Sequence, residues 1–236
     1  MSNTWFQFKQ FLITQENSAL KVGTDGVVLG AWCEVSGAER ILDVGTGTGV
    51  IALMLAQRSE AEVTAVEISE GAWLDARHNF QNSPWIERLV LYPGDFNKFQ
   101  KAHTFPFDLV VCNPPFFKKS MKSSDPASSI ARHDISLSFE QLITGAKKLL
   151  TDHGRLSVIL PIEVLDDFRE TARLAGFYLS RKTTIIPKIG KPPKRVLLEF
   201  SVSTTYPEAN ELVILLDSQI YSEEFIELTK EFYLGS

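Results

Sequence analysis

From Ile41 to about residue 175, short apolar runs take turns with segments of helical length, and this constrains the fold more than any other feature. ILDVG precedes TGTGVIALMLAQR, and EVTAVEI precedes SEGAWLDARHNFQNS, a helix opened by Ser69 and stopped before Pro84. RLVLYPGD and FDLVVC read as the third and fourth strands, SFEQLITGAKKLL as a helix, GRLSVILP as the fifth strand, and IEVLDDFRETARLAG as a helix closed by Gly176. Strands that alternate with helices lie parallel, because each helix carries the chain back across a face of the sheet. The pattern then breaks. FYLSRKTTIIP and RVLLEFSVS are joined by KIGKPPK with no helix between, so one of them must run antiparallel to its neighbour. The expected architecture is α/β: a mostly parallel sheet with helices on both faces and a terminal antiparallel hairpin.

One domain of residues 1–236 is expected, since 236 residues that are 44% apolar suit a single core. Residues 1–37 read as an extension, with WFQFKQFLIT as a strand or hairpin arm and TDGVVLGAWCEV as a helix capped by Thr24 or Asp25. Residues 38–203 form the core, and 204–236 add the strand ELVILL and the acidic helix SEEFIELTKEFY. No run of about 18 apolar residues suggests a membrane span. MSNTWFQFKQF lacks the basic start and apolar core of a signal peptide. The two cysteines, Cys33 and Cys112, form no C-x-x-C, and the four histidines are scattered, so neither a disulfide framework nor a metal site is expected. A reducing, cytoplasmic setting follows as the expectation.

LDVGTGTGVIAL places Gly45, Gly47 and Gly49 between a strand and a helix, where backbone can turn sharply and approach a ligand. The spacing is G-x-G-x-G, and Val50 stands where a dinucleotide fingerprint wants Gly or Ala. The next strand ends at Glu67, 67 − 43 = 24 residues after Asp43, and an acid there is placed to accept from ribose hydroxyls. Asp95, after the third strand, could accept from an exocyclic amine, with Phe96 against the ring face. These three elements, in strand order, resemble the Rossmann-fold methyltransferases that use S-adenosylmethionine. The resemblance implies cofactor contacts at Asp43, Gly45, Thr46, Gly47, Gly49, Glu67, Ile68, Asp95 and Phe96, with Asp43 near the methionine part.

The fourth strand runs straight into Asn113-Pro114-Pro115-Phe116. Asn113 precedes proline and is pushed to extended geometry, and the prolines fix φ and carry no N–H. The corner therefore displays acceptors: the Asn113 amide oxygen and nearby carbonyls. Acceptors want a donor such as an amino group, and two of them holding an N–H₂ free its lone pair to attack a methyl group. Phe116 offers a face for stacking a base, worth roughly 1–3 kcal/mol. Ligands of open α/β sheets bind outside the carboxyl ends of strands, so corner and glycine turn should open on one rim. The tetrad resembles the Asn/Asp-Pro-Pro-aromatic motif of methyltransferases acting on exocyclic or amide nitrogens. That likeness implies that Asn113 and Pro114 hold the target amine, that Phe116 stacks on it, and that Asn113 also adjoins the cofactor.

LKVGTDGVVLGAW, CNPPFF followed by ARHD, and KPPKRVLLEF resemble one family over residues 5–203: the bacterial tRNA adenine-N6 methyltransferases that modify valine tRNA at the adenine 3′ of the anticodon. The family resemblance implies tRNA as partner and places Asp25 over the cofactor's methionine end; Asp25 alone reads equally well as a helix cap. The net charge of −5 disfavours a nucleic-acid partner when taken alone. Charge is uneven, however. Residues 181–195 hold six basic residues and no acid, and residues 112–124 hold three lysines and no acid. Lys118 and Lys119 would lie at the mouth of the site, and Lys188, Lys191, Lys194 and Arg195 around the hairpin tip, placed to meet phosphates. No general base is evident. A protein glutamine N5-methyltransferase, an rRNA guanine N2-methyltransferase and a non-catalytic RNA- or nucleotide-binding domain remain open as alternatives.

Overall fold

A computed structural model describes residues 3–114 and 137–234; Pro115, Phe116, Lys118 and Lys119 lie outside the described residues. A small antiparallel hairpin, β1 (Trp5–Gln7) and β2 (Leu12–Thr14), comes first, followed by α1 (Thr24–Trp32). Then come β3 (Arg40–Val44), α2 (Val50–Arg58), β4 (Glu62–Glu67), α3 (Glu70–Gln81), β5 (Leu89–Pro93), α4 (Phe96–Ala102) and β6 (Phe107–Cys112). From residue 137 on follow α5 (Phe139–Leu149), β7 (Leu150–Pro161), α6 (Leu165–Leu174), β8 (Tyr178–Lys188), β9 (Arg195–Ser201), β10 (Glu208–Leu215) and α7 (Glu223–Thr229).

Eight strands form one sheet in the order β10-β8-β9-β7-β6-β3-β4-β5. β3 to β7 run parallel, β9 is antiparallel to both β7 and β8, and β10 returns parallel to β8. The alternating α/β pattern with a terminal hairpin is therefore the architecture observed. Its direction has a functional consequence. Arg195, the first residue of β9, pairs with Pro161 at the end of β7 and with Ile185 near the end of β8. The β8–β9 turn thus projects from the same rim as the carboxyl ends of the parallel strands.

Side-chain alternation sorts the core. Ile41, Val63, Leu109 and Val111 face the layer that holds α1 and α2, while Leu42, Val44, Val66, Val110 and Cys112 face α4, α5 and α6. With a period of two, Asp43, Glu67 and Asn113 all fall on the first face, at the carboxyl end of the sheet. Phe225 and Phe232 join that face, so the terminal acidic helix packs onto the core beside α1 and β10. α1 is fastened to the terminal hairpin at both ends. Asp25 accepts from Arg195 Nε at 2.7 Å, and the Arg181 guanidinium lies 3.7 Å over the Trp32 ring while donating to the Trp32 carbonyl at 3.0 Å.

Several boundaries differ from expectation. Gly23, extended at φ −132°, caps α1, and Thr24 and Asp25 lie inside its first turn. The Asp25 carboxylate is drawn to Arg195 instead of to the helix N–H groups. Ser69 caps α3 by position only, with no side-chain bond. Residues 96–102 form a helix where the sequence pattern suggests none; the Asp95 carboxylate starts it by accepting from Asn97 N at 2.7 Å. β7 begins at Leu150, directly after α5, and not at Gly154; a register shift against β6 absorbs the extra residues.

Candidate active site

Three left-handed glycines build the loop after β3: φ is +73° at Gly45, +59° at Gly47 and +84° at Gly49. Side chains rarely tolerate this region, so glycine is the residue that allows the turn. The loop is held down by Gly45 N and Thr46 N, which donate to the Val66 carbonyl at 2.8 and 3.1 Å. The glycines then differ. A Cβ at Gly49 would stand 2.5 Å from the Phe80 ring, so that glycine serves packing. A Cβ at Gly45 or Gly47 would meet nothing within 4 Å, so those two line open space.

Beneath the loop Asp43 is fully buried. Its Oδ2 accepts from the Thr46 hydroxyl at 2.6 Å, and its Oδ1 has no hydrogen-bond partner. Burial pushes the carboxyl up to about 7, against the Thr46 bond and the nearby Ala52 backbone N–H, with the Glu67 charge adding a little to the rise. Thr46 is itself buried and turned toward Asp43. Glu67 is also buried, but both its oxygens are served: Gly47 N and Ser69 N each donate at 2.8 Å. Ile68 beside it stands exposed. The unpartnered Oδ1 and the open cradle over Gly45 and Gly47 fit a bound group with polar hydrogens and an extended backbone-hugging chain.

Val44 pairs with Cys112, so Gly45 and Asn113 are the next residues on neighbouring strands. Asn113 is partly exposed, on the same face as Asp43 and Glu67, and its Nδ2 lies 3.9 Å from where a Cβ of Gly26 would be. Among the described residues nothing hydrogen-bonds its side chain. Asn113 thus sits beside the glycine loop and the first turn of α1. The Cys112 thiol, one residue earlier, is pushed far up by burial, then by Asp43 and Glu67, which leaves no thiolate nucleophile there.

Other expected residues fall differently. Asp95 uses Oδ1 on Asn97 N and Nδ2 and keeps Oδ2. Phe96 does not offer its ring face: it is buried, with ring atoms 2.5 and 2.8 Å from where a Cβ of Gly145 would stand, so it packs α4 against α5. That expectation is corrected; a side chain at the first position of a buried helix turns into the core. Lys188 pairs with Asp217 at 3.0 Å and Arg195 with Asp25, whereas Lys191 and Lys194 are exposed and make no ion pair among the described residues. Among these residues no three His, Cys, Asp or Glu cluster as a metal site, and no helix is long and apolar enough to cross a membrane.

Two residues escaped sequence reasoning. Asp75 and Asn79 lie on the buried stripe Ala72, Asp75, Ala76, Asn79, Phe80 of α3. Polar residues at stripe positions were the signal available. Asn79 donates to the Thr48 carbonyl in the glycine loop at 2.8 Å.

Comparisons with known proteins bear on the chain as a whole. Residues 28–164 match the methyltransferase small domain family. The chain is 45% identical over 235 residues to the tRNA1(Val) (adenine(37)-N6)-methyltransferase of Phocaeicola vulgatus, covering 100% of both chains. It is 43% identical over 235 residues to that of Bacteroides fragilis, covering 99% of each. The fold matches a crystal structure of a predicted O-methyltransferase from Agrobacterium tumefaciens, with TM-score 0.68 at 21% identity over 88% of this chain and 96% of that one. By its full-length likeness, the chain belongs to the tRNA1(Val) (adenine(37)-N6)-methyltransferase family.

Proposed function

We propose that the protein transfers a methyl group from S-adenosylmethionine to the exocyclic N6 of adenine 37 in valine tRNA. The observation that carries this reading is the full-length likeness to relatives bearing that activity in their names. S-Adenosylmethionine supplies, when bound, an electrophilic methyl group on a sulfonium sulfur. The chain's own residues hold and aim. Each Glu67 oxygen takes one backbone N–H and keeps lone pairs for ribose hydroxyls. Asp95 Oδ2 and the exposed Ile68 side chain suit the amine and face of an adenine. Asp43 Oδ1 and Asp25 would hold the methionine end.

Asn113 Oδ1 and the Pro114 carbonyl accept from the target amine and turn its lone pair outward. A neutral amide suits this role, because it accepts one N–H without protonating the amine. After transfer the charged nitrogen is strongly acidic and releases its proton to water. The tip lysines, Lys191 and Lys194, meet phosphates and set the anticodon loop over the rim; an unpaired loop base is cheaper to splay than a paired one. The test is labelled S-adenosylmethionine offered in parallel to valine tRNA transcripts carrying A or G at position 37, to total rRNA and to total protein, followed by digestion to nucleosides or amino acids. N6-methyladenosine from the first transcript alone is expected. Label in rRNA guanine or in protein glutamine, and none in tRNA, overturns the assignment.

A further inference from the structure

Residues 15–23 form a strap between the small hairpin and α1. Its start is tied to α3. Asp75, 2% exposed, accepts from Ser18 N at 2.7 Å, from Asn17 N at 3.0 Å and from Asn17 Nδ2 at 2.8 Å. One turn on, Asn79, 1% exposed, accepts from Thr14 N and donates to the Thr14 carbonyl, both at 2.8 Å. The approach is close: a Cβ at Gly71 would stand 2.4 Å from the Asn17 carbonyl oxygen. The strap is also tied to itself, by Val22 N to Gln15 Oε1 at 2.7 Å and by Lys21 Nζ to the Gln15 carbonyl. It ends at Gly23, where α1 begins beside Asn113.

α3 follows directly on Glu67, and α1 abuts Asn113. The strap therefore passes from the β4 side of the rim to the β6 side, across the glycine loop of β3 that lies between them. Asn79 touches both layers at once, since the amide that holds Thr14 also holds Thr48. A buried carboxylate with three donors aimed at it is a charge-assisted anchor, stronger than neutral pairs and costly to leave unmade.

We propose that Asp75 and Asn79 are positioning residues: a latch that holds residues 15–23 as the outer wall of the methyl-donor site. This rests on the donor-site reading under Proposed function. With the latch closed, the strap sets the first turn of α1 and bounds the open space over Gly45 and Gly47 on its outer side. With it open, the donor site loses a wall, while the amine-holding corner at Asn113 keeps its place on β6.

The test is Asp75→Ala, read three ways. Alanine favours α3 more than aspartate does, so the helix itself is not weakened. Trypsin cleavage after Lys21 should speed up. Dissociation constants for S-adenosylmethionine and S-adenosylhomocysteine should rise on the order of tenfold, the scale of one missing charge-assisted bond. kcat at saturating donor and KM for tRNA should move less than about twofold. Asp75→Asn, which keeps one acceptor oxygen, should fall between wild type and alanine. Asn17→Ala, which removes a donor from the strap side, guards against a folding defect and should raise the same constants more mildly. Faster cleavage with unchanged donor affinity overturns the wall, and unchanged cleavage overturns the latch. A wild-type chain that binds no S-adenosylhomocysteine overturns the donor-site reading and the wall with it. An equal fall in kcat, donor affinity and tRNA affinity in both Asp75→Ala and Asn17→Ala makes these residues structural only and overturns the proposal.

Discussion

The carboxyl rim of the sheet carries two regions made on opposite terms. At β4, β3 and β6 the polar groups are acceptors, fixed by strand ends: Asp43 and Glu67 are buried, and Asn113 follows Cys112 directly. At the β8–β9 tip the polar groups are cations on long stems in water, Lys191 and Lys194, around a turn at Gly190 with φ +75°. Low local dielectric makes the first set strong and intolerant of displacement. Screening makes the second set weak, adjustable and salt-dependent. A reaction that must aim one amine needs the first kind, and a large polyanion that must be seated needs only the second. The contrast predicts large effects on rate from the first region and small effects on affinity from the second.

The strongest way to break that contrast is Asn113→Ala. Losing an aimed polar group costs about 10²–10³ in rate, so kcat should fall by that factor with donor affinity within about twofold of wild type. Normal turnover in this variant would remove the corner from the chemistry. Next is Asp43, whose carboxyl rises from 3.8 to about 7 on burial. Below pH 3.8 both folded and unfolded forms are neutral there. Between that pH and 7 the unfolded chain ionises first, the folded state holds more protons, and stability declines as pH rises. The ceiling is about 4 kcal/mol, at about 1.4 kcal/mol per pH unit. Asp43→Asn, neutral throughout, should flatten the fall in melting temperature between about pH 4.5 and about pH 7. Parallel curves would show that Asp43 ionises normally.

The first region is far more legible in sequence than the second. Gly45, Glu67 and Asn113 are each fixed by one local fact, the end of a short apolar strand, and strand ends survive any tertiary rearrangement. Their common face follows from a period of two. The misses share another cause: they are decided by partners distant in sequence. Phe96 looks free beside Asp95, but Gly145 leaves a slot for its ring 49 residues on (145 − 96). Asp25 looks like a cap until Arg195, 170 residues away, claims it. Helix α4 hides because Asp95 looks like a ligand group in sequence, although it is also the cap that starts the helix. Asp75 and Asn79 are hidden by composition, in a helix whose polar residues look solvated one by one.

The second region sharpens the contrast through charge. Lys191→Glu with Lys194→Glu should weaken tRNA binding on the order of tenfold at about 0.1 M salt, because two attractions become repulsions. The slope of log affinity against log salt should flatten by roughly 0.7–0.9 for each phosphate left without its cation. kcat at saturating tRNA should hold, since neither lysine reaches the acceptors at β6. An unchanged slope removes the tip from the RNA interface.

The smallest effect is the most discriminating, because it is a gain. Lys188 Nζ sits 3.0 Å from Asp217 Oδ1, which spends its charge on an exposed acid at the end of the tail strand. That pair and the Ser218 N–H hold the Asp217 carboxyl below its usual range, the Lys188 bond contributing most. Asp217→Asn removes the competitor and leaves the backbone bond from Ser218 an acceptor. If the tip meets phosphates, Lys188 becomes a third cation for them. Affinity for tRNA should then rise by about twofold at low salt, with the salt slope steeper by less than about one. The gain is small because an exposed pair in water holds its lysine loosely. An ordinary solvated surface would show neither change, and a fall in affinity would mean that Asp217 orders the tip. The sign of this one substitution therefore separates a seating surface from a merely charged turn.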